Sequence, residues 1–462
     1  MKNAHLLIIL AYLVGVSLYG WYLNKKYIRS SDDFVAAGRS LPFPVLVGTL
    51  LATWMGSGMI TGSANFVYTY GPSASIPYFI GEPIGLLLIA LFLAKKVRIK
   101  EGYTVPQLIE EKYGEGARIL VTICIVLAYV GIVSYQFEAG GHIFNMVTGM
   151  SVTTGTIISA IFVVLLTVTG GLVSVAYTDA IGTLIIFIAM LIGLPMAIKQ
   201  AGGLTEMFAA IPAEKLTATG GLDNIQLLGF ALPTIFLVLG DQNIYQRFAA
   251  SKDPAEAKRS GLGLFGLALL LDILVVLIVV PAIVLYPNLE NPDTAFFQVA
   301  MGLPTVLSGL LLACATALFI TTADSYLLSA ATNITYDVWE RFIKKDATDE
   351  EKLRFTRLTI VVLSVIALAL GTLFPSILSI QMYAYSMYGA AITPSLVASL
   401  FWDKATKQGG LASIIIGGAS VLVWDVVLQN PMGWNSILVA GPLSILALVV
   451  VSVLTQGKVE RA

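Results

Sequence analysis

Two adjacent threonines, Thr321 and Thr322, lie in the largely apolar segment 317–325. A hard cation such as Na⁺ prefers several oxygen ligands, and two hydroxyls with the carbonyl one helical turn earlier supply three uncharged ones. Further oxygens would come from backbone carbonyls near Ala52 and Met55, where glycines interrupt another apolar segment. The alternative is structural, because hydroxyls in membrane helices often bond back to a carbonyl four residues earlier. The pattern indicates either a monovalent cation site or such local bonding.

Few other polar side chains fall inside apolar segments. Each is a candidate for function, because a polar group inside a membrane is costly unless it is paired or hydrated. For Asp272 and Asp425, which stand alone among aliphatic residues, structural pairing or a neutral protonated state is the alternative, and for His142 it is packing. The full set comprises Glu82, Gln136, Glu138, His142, Asp179, Asp241, Asp272, Asp324 and Asp425.

Residues for metal or nucleophilic catalysis are scarce in this chain. The two histidines, His5 and His142, do not form a His-Glu-x-x-His pair. The two cysteines, Cys124 and Cys314, lie in apolar segments, as small core residues do. We therefore do not expect an enzyme. A channel is not favoured either, because no symmetric pore-forming segment is evident.

These residues must be positioned by a membrane-embedded fold. Of the 462 residues, 57% are hydrophobic and 12% are charged, whereas a soluble protein carries roughly a quarter charged residues. Apolar stretches of about 20 residues, each able to cross a hydrocarbon core about 30 Å thick, recur along nearly the whole chain. We predict an all-α membrane protein with thirteen transmembrane helices, at about 4–24, 42–69, 75–95, 118–148, 152–170, 178–198, 226–249, 262–287, 303–337, 356–373, 377–402, 411–429 and 435–455.

The distribution of Lys and Arg predicts the orientation of these helices. Of the 27 basic residues, 24 fall on one side of the predicted spans, and only Lys2, Lys199 and Lys215 fall on the other. Because cytoplasmic loops carry the excess of basic residues, we predict an outside N-terminus, a cytoplasmic C-terminus and a plasma (cell inner) membrane location. In this arrangement no Lys or Arg lies in the middle of a span.

Two predicted spans contain helix-breaking residues at membrane depth, the second at 54–58 and the seventh at 240–243. Freed backbone groups must find partners away from lipid, although glycines can also serve close helix packing. Paired interruptions five spans apart are typical of a five-helix unit that is repeated in inverted orientation. We predict one polytopic domain over 1–462, with a first span at about 4–24, inverted repeats at about 42–198 and 226–402, and two final spans within about 411–455.

Four motifs stand out along the chain. They are Ala-Thr-Trp-Met-Gly-Ser-Gly at 52–58, Gly-Gly-Leu-Val-Ser-Val-Ala-Tyr-Thr-Asp at 170–179, Asp-Gln-Asn-Ile-Tyr-Gln-Arg at 241–247, and Thr-Thr-Ala-Asp-Ser at 321–325 running on to Thr-Tyr-Asp at 335–337. Together they resemble the sodium/solute symporter family. The likeness covers nearly the whole chain, and the motifs occur in the expected order and on the expected spans. It implies a LeuT-type fold, and the second-span and fifth-to-sixth-span motifs are most similar to those of the choline-transporter-like branch.

The resemblance implies a sodium site that joins the second and ninth spans. Its ligands would be the carbonyls of Ala52, Met55 and Leu318 with the hydroxyls of Thr321 and Thr322. Family members often have Ser at one or both of the last two positions, and Thr keeps the ligating oxygen. Where family members commonly have Ala, this chain has Leu318, but only its backbone is needed.

Asp179 matches an acidic residue that the family associates with sodium release or with a second sodium site. It stands at the predicted cytoplasmic start of the sixth span. The structural alternative is a helix N-cap. The resemblance therefore implies a gating role for Asp179, and capping of the helix is the alternative.

The resemblance also suggests where the solute binds. Trp54 matches a tryptophan that, in the choline-transporter-like branch, belongs to an aromatic cage for a quaternary ammonium, and it could offer a cation–π face. Asp241 stands approximately where a further cage tryptophan would be, so choline itself is not favoured. Glu82 and Asp241 would place acidic groups near Trp54, and Ser57, Gln136 and Gln242 complete the predicted solute site. Alternatively, Glu82 bonds a neutral solute or is protonated, and Asp241 caps a half-helix.

We therefore predict a sodium-coupled secondary active symporter that imports a small organic solute by alternating access. An amine or other organic cation is the favoured solute. A neutral or zwitterionic solute, such as a sugar, polyol or amino acid, or a carboxylate is the alternative. The expected partners are Na⁺ as the coupling ion, the solute and the lipid bilayer, with neither nucleic acid nor an obligate protein partner.

Overall fold

The computed structural model describes residues 2–27, 42–100, 104–169 and 172–459. Within these ranges every regular element is helical. The glycine pair Gly170-Gly171 of the second motif, and Arg29, Arg39 and Arg461 among the charges that predict orientation, lie outside the described residues.

The described residues of the first half form ten α-helices up to the loop before the seventh predicted span. They are α1 (Lys2–Tyr27), α2 (Phe43–Trp54), α3 (Ser63–Tyr70), α4 (Pro72–Phe79), α5 (Gly81–Leu88), α6 (Ala94–Lys100), α7 (Val105–Tyr113), α8 (Glu115–Thr148), α9 (Val152–Thr169) and α10 (Leu172–Gln200). A π-helical turn, Gly58–Gly62, leads into α3, and another, Ile89–Leu93, joins α5 to α6.

The second half contributes eleven more. They are α11 (Leu204–Ala210), α12 (Asn224–Gly240), α13 (Gln242–Ala249), α14 (Pro254–Leu285), α15 (Ala295–Gly302), α16 (Thr305–Thr332), α17 (Asp349–Gly371), α18 (Ile377–Ala391), α19 (Thr393–Phe401), α20 (Lys407–Val421) and α21 (Ile437–Val459). α16 continues as a π-helix, Asn333–Ile343, and short 3₁₀ turns occupy Ala213–Leu216, Pro292–Thr294 and Pro431–Gly433.

Nine helical runs among the described residues are long and apolar enough to cross a membrane, and the bent pair at 43–70 makes a tenth. The predicted first and fifth spans form shorter apolar helices, Ala4–Gly20 and Val152–Val168. The predicted eleventh span is α18 followed by α19. Because α18 lies almost wholly buried in the bundle, away from lipid, it can carry polar residues such as Gln381 and Ser386. A multi-pass helical protein is therefore shown, and the count of thirteen stays a prediction.

Both predicted interruptions lie where helices end in the structure. α2 ends at Trp54, and the helix that resumes at Gly58 is bent by 57° from it. α12 ends at Gly240, and Asp241 then adopts an extended conformation (φ −61°, ψ 119°) before α13 begins. The break after Trp54 needs a glycine, because a Cβ atom on Gly56 would lie 2.3 Å from Gln136 Nε2. The division into two inverted repeats stays a prediction.

The run from Thr305 to Ile343 passes through the middle of the bundle. In its most apolar window 78% of residues are buried, against 33% for Asp349–Gly371, which is therefore peripheral. α16 packs against α8, and α8 also packs against α18. These three helices, together with the broken spans at 43–70 and 224–249, position the polar residues described below.

Two arginines that the sequence assigns to loops, Arg118 and Arg247, are buried. Arg118, which is 6% exposed, pairs with Asp337 and with Glu110 (Nη1–Oε2 2.6 Å). Arg341 lies 2.5 Å from Glu110 and 2.8 Å from Glu115, which completes an ion-pair cluster linking α7, α8 and the π-helix that follows α16. Arg247 belongs to α13 rather than to a loop, so its assignment to a loop is wrong.

Candidate functional site

The oxygen atoms of the predicted sodium site come from the end of α2 and the middle of α16. The Thr322 hydroxyl donates to the Ala52 carbonyl across the two helices, at 3.2 Å. The Thr321 hydroxyl lies 3.3 Å from the Leu318 carbonyl on its own helix. Thr322 is therefore not engaged in the local back-bonding that the sequence left as an alternative.

The break in the second span frees a further carbonyl. In a continuous helix the Met59 amide would donate to the Met55 carbonyl, but here it donates to Gly56 at 3.1 Å. Carbonyl and hydroxyl oxygens are ligands that suit a hard monovalent cation. The Ala52, Met55, Leu318, Thr321 and Thr322 oxygens therefore form a donor set of the right chemistry for Na⁺.

Asp179 lies next to this set and ties it to a third helix. It is buried within α10, well past the first turn, so it is not the N-cap that the sequence offered as an alternative. Its Oδ2 accepts a hydrogen bond from the Thr49 hydroxyl at 3.0 Å, and it interacts with the Thr321 hydroxyl. Asp179 thus contacts both helices that carry the sodium ligands.

Arg247 brings a positive charge to the same region and was missed by the sequence analysis. It is 1% exposed, and its guanidinium donates to Thr49 Oγ1 (3.3 Å), to the Asn243 carbonyl (3.2 Å) and to Ser325 Oγ (3.3 Å). It also interacts electrostatically with Asp179. The apolar residues that directly follow it, Phe248 to Ala250, are the signal that it does not belong to a solvated loop.

Asp324 is the second buried carboxylate near Arg247. It interacts with Asp179 and Arg247 and with the hydroxyl of Thr167, while its Oδ1 has no hydrogen-bond partner. One guanidinium therefore faces two carboxylates beside the predicted sodium ligands.

Trp54 and Glu82, two of the predicted solute residues, line the same small closed cavity. Its open space is about 20 Å³, which is room for about one water molecule. The Trp54 ring stacks on Tyr385, with centroids 6.3 Å apart and planes at 28°. Glu82 interacts with the Trp54 side chain, and its Oε1 has no hydrogen-bond partner. The rest of the wall is formed by Met59, Ser63, Tyr78, Phe79, Thr234, Gln381 and Tyr385.

Ser57 and Gln136 lie at the helix break and not among the residues that line this cavity. The Ser57 amide donates to Gln136 Oε1 at 2.8 Å, and the Ser57 hydroxyl donates to the Tyr135 carbonyl at 3.1 Å. The side chain of Gln136 therefore replaces a helical hydrogen bond that the break removes. Its buried Nε2 has no partner.

Asp241 and Gln242 are engaged in structural bonds away from the cavity. Asp241 Oδ1 accepts from the Ile244 amide at 3.0 Å, which is the capping role that the sequence left open, and Oδ2 accepts from the Tyr129 hydroxyl at 3.1 Å. The Gln242 side chain bonds to the Val105 amide (3.1 Å) and to Asn333 (3.0 Å). The structure thus brings Trp54 and Glu82 together and leaves these two outside.

Gln381 and Tyr385 on α18 are cavity residues that the sequence analysis did not single out. Gln381 Oε1 is buried without a partner, close to Gly58 and Gly62 of the broken span. The signal that could have found them is the density of polar and aromatic residues within 381–388, which is unusual for an apolar span. Among the described residues no three His, Cys, Asp or Glu side chains converge as a transition-metal site would require.

The chain is similar to known transporters over most of its length. The profile of the Sodium:solute symporter family matches residues 34–417. The osmoregulated proline transporter OpuE of Bacillus subtilis is 28% identical over 466 residues, which cover 96% of this chain and 94% of that protein. The high affinity choline transporter 1 of Homo sapiens is 27% identical over 416 residues, which cover 84% of this chain and 70% of that protein.

The fold has a close counterpart among solved structures. A Na⁺-coupled sialic acid symporter, in a substrate-bound outward-open state, superposes with a TM-score of 0.82 at 18% sequence identity and covers 98% of both chains. The family match spans most of the chain. The protein therefore belongs to the sodium:solute symporter family, as a multi-pass membrane transporter of LeuT-like fold that takes up a solute with Na⁺ as the coupling ion.

Proposed function

We propose that this symporter imports a small organic solute that carries a positively charged amine or ammonium group. The observation that carries the proposal is Glu82. Its carboxylate is 6% exposed, faces the cavity and leaves one oxygen without a hydrogen-bond partner. A buried carboxylate without a partner is costly, and a cation offsets that cost.

The other walls of the cavity suit the same class of solute. Trp54, Tyr78 and Tyr385 offer aromatic faces, and a cation over such a face gains about 0.5–2 kcal/mol. Among the described residues that line the cavity none is Lys, Arg or His. A solute whose only charged group is a carboxylate would therefore meet a like charge and find no cationic partner.

The proposed coupling uses the sodium ligands Ala52, Met55, Leu318, Thr321 and Thr322. Na⁺ bound to these oxygens would hold α2 against α16, and α2 also carries Trp54. Ion and solute would then favour the same conformations, so each raises the affinity for the other by the same factor. Asp179 and its neighbour Arg247 are proposed to act in sodium release, because Asp179 reaches both helices of the set. We further propose a plasma-membrane location with the N-terminus outside.

A zwitterionic amino acid is the second candidate. Its support is the likeness to a proline transporter over 96% of this chain. Glu82 would take the ammonium group, and Ser63, Thr234 and Gln381 in the cavity wall offer uncharged hydrogen-bond donors for a carboxylate.

Ligand-induced thermal stabilisation of the purified full-length protein separates these classes. The probes are choline, L-proline, D-glucose and sialic acid, each with Na⁺ and with K⁺ in its place. A ligand at 100 times its Kd adds about 2.7 kcal/mol to the free energy of unfolding. We expect choline or proline to stabilise the protein, and to do so more strongly in Na⁺ than in K⁺.

Glu82→Gln is the matched variant, because it keeps the shape of the side chain and removes its charge. We expect it to lose stabilisation by the cationic probe at least tenfold in apparent affinity, while stabilisation by Na⁺ alone remains. If only glucose or sialic acid stabilises the wild-type protein, the proposed solute class is wrong and sodium coupling still stands.

A further inference from the structure

A second buried carboxylate, Asp272, lies on α14, which packs against α5, the helix that carries Glu82. Asp272 is 2% exposed, and neither of its oxygens has a hydrogen-bond partner. Glu82 Oε1 also lacks one. The two carboxyl groups are close enough to interact electrostatically, and no solute-site role assigned above uses Asp272.

The groups around this pair are uncharged. Tyr78 on α4 interacts with both carboxyl groups, and Tyr385 on α18 interacts with Glu82. The Trp54 indole on α2 interacts with Glu82. α12, which packs on α5, contains no titratable residue.

Basic residues on the same helical spans are remote from the pair. Arg259 lies near the start of α14, well before Asp272, and Lys95 lies in α6, beyond the π-helical turn that follows α5. At 1.5 Å per residue each is about 20 Å away along its helix. The pair therefore has no fixed counter-charge among the described residues.

Two adjacent carboxylates in apolar surroundings do not both stay ionised, because burial and like-charge repulsion both oppose it. The charge must be offset by a cation. Na⁺ requires several oxygen ligands, but among the other side chains that line the groove beside Asp272 only Ser75 has an oxygen, and its hydroxyl already donates to the Gly71 carbonyl at 2.8 Å. The remaining lining is Pro72, Ile76, Phe79, Ile80, Pro83, Leu269, Ile273, Val276 and Leu277. A proton is the cation that needs no further ligands.

We propose that Glu82 and Asp272 form a proton-binding site, in which the pair as a whole carries one proton at neutral pH and presents one negative charge to the Trp54 cavity. A second proton, taken up at lower pH, neutralises the pair. The site involves a residue of the proposed solute site, but its existence does not depend on which solute is carried. If the solute is a cation, the second proton and the solute are alternative ways to neutralise Glu82.

Infrared spectroscopy of the full-length protein in liposomes, without solute, tests the site. The C=O stretching band of protonated carboxyl groups is followed during a pH titration of the wild type, Glu82→Gln, Asp272→Asn and the double variant. Each single variant removes one carboxyl group and the repulsion that it exerts on the other. We expect the remaining carboxyl group to lose its proton at a pH more than about one unit below the last wild-type transition.

The double variant should lose the entire titration of the pair. Each single variant should lose one carboxyl group and also shift the titration of the other, which two independent groups would not do. Asp425→Asn is the control. Asp425 is also a buried acid, but its Oδ2 accepts from the Ser436 hydroxyl at 2.7 Å, so its loss should leave the titration of the pair unchanged. Stabilisation by Na⁺ in each variant reports correct folding, and Glu82→Gln gives the same information if Asp272→Asn does not fold.

Two results would overturn the proposal. One is a remaining carboxyl group that titrates as in the wild type, with additive effects in the double variant, because the two groups would then be independent. The other is a wild-type spectrum at neutral pH with no band that the double variant removes. Both measurements are made without solute, so they leave the proposed import of a cation to its own test.

Discussion

Thr322 holds the second and ninth predicted spans together through a single hydroxyl. Its Oγ1 reaches the Ala52 carbonyl, and both oxygens belong to the proposed sodium ligands. Replacing Thr322 by Ala removes one ligand, whereas Ser keeps the oxygen and loses only a methyl group. We expect Thr322→Ala to weaken the apparent Na⁺ affinity by about tenfold or more, since the ion loses one of its few oxygen ligands, and tenfold corresponds to only about 1.4 kcal/mol. Thr322→Ser should stay close to the wild type, as measured by Na⁺-dependent thermal stabilisation.

Thr316 provides the matched control on the same helix. It is buried, and its hydroxyl bonds back to the Leu312 carbonyl at 2.7 Å, away from α2. Thr316→Ala should leave the Na⁺ affinity unchanged. An equal loss in Thr316→Ala and Thr322→Ala would show that the effect is one of general packing and would remove the support for the proposed ligand set.

Arg247 is the buried cation that balances Asp179 and Asp324. We expect Arg247→Ala to lower the free energy of unfolding by about 3–5 kcal/mol, because it leaves buried carboxylates without a counter-charge. Arg247→Lys should recover only part of the loss, since one ammonium cannot replace the guanidinium that donates to Thr49, Asn243 and Ser325 together. Thermal or denaturant unfolding in detergent measures both.

Arg259 is the corresponding control, an exposed arginine whose guanidinium lies 4.5 Å from the centre of the Phe43 ring. Arg259→Ala should cost no more than about 1 kcal/mol. The account of Arg247 fails if its alanine variant is as stable as that of Arg259.

At the scale of elements, the break after α2 depends on a residue without a side chain. A Cβ atom at position 56 would lie 2.3 Å from Gln136 Nε2 and 2.9 Å from Thr322 Cγ2. Gly56→Ala should therefore displace a proposed sodium ligand and the side chain that completes the break, and abolish Na⁺-dependent stabilisation. Gly266→Ala in α14, where a Cβ atom meets nothing within 4 Å, should leave it intact. Sodium binding that survives in Gly56→Ala would contradict the role given to the break.

Asp293 connects elements at the end of the bundle that we predict to face outside. Its carboxylate accepts from Asn65 Nδ2 on α3 at 2.8 Å and from the Ile377 amide at the start of α18 at 3.0 Å. Burial raises the pKa of Asp293 above its ordinary value of 3.8. In the window between 3.8 and the raised pKa the folded state therefore holds more protons than the unfolded state, and its stability falls as the pH rises.

Asp293→Asn removes this titration. We expect the difference in free energy of unfolding between wild type and Asp293→Asn to shrink or reverse as the pH rises through that window. Unfolding by denaturant at several acidic pH values measures the difference. A difference that does not change with pH would show that the Asp293 contacts do not depend on its protonation.

The broken spans could be predicted from the sequence because Gly56 and Gly240 disrupt apolar runs that are otherwise uniform. The residues that line the cavity could not be predicted in this way. Asp241 and Gln242 stand at a break, as a solute residue would, but their side chains cap α13 and bond to Val105 and Asn333. Which role Gln242 takes depends on Val105 and Asn333, which are 137 and 91 positions away in the chain.

Arg247 shows that the burial of a charged residue could not be predicted from the sequence either. Counting basic residues treats each as solvated, whereas the packing of α13 beside α2 and α16 buries this one. Gln381 and Tyr385 escaped notice because hydropathy averages over a span and so conceals a polar face that is turned toward the middle of the bundle.

For the whole molecule, the predicted orientation rests on 24 of 27 basic residues. Ala218 and Lys345 are exposed residues in loops that we predict to lie outside and in the cytoplasm, respectively. In intact cells a membrane-impermeant maleimide should label Ala218→Cys, and it should label Lys345→Cys only after the membrane is permeabilised. The wild-type protein is the blank, since Cys124 and Cys314 are buried. The reverse pattern would invert the topology.

The small volume of the Trp54 cavity has a consequence for every affinity measured on this protein. A space of about 20 Å³ admits no organic solute. Binding therefore requires the side chains of Tyr385 and Gln381, or α18 as a whole, to move first. The measured Kd is then the intrinsic Kd divided by the fraction of molecules in the open form. A substitution far from the cavity that makes the closed form rarer should tighten solute binding without adding a contact, and it should do so mainly by accelerating association.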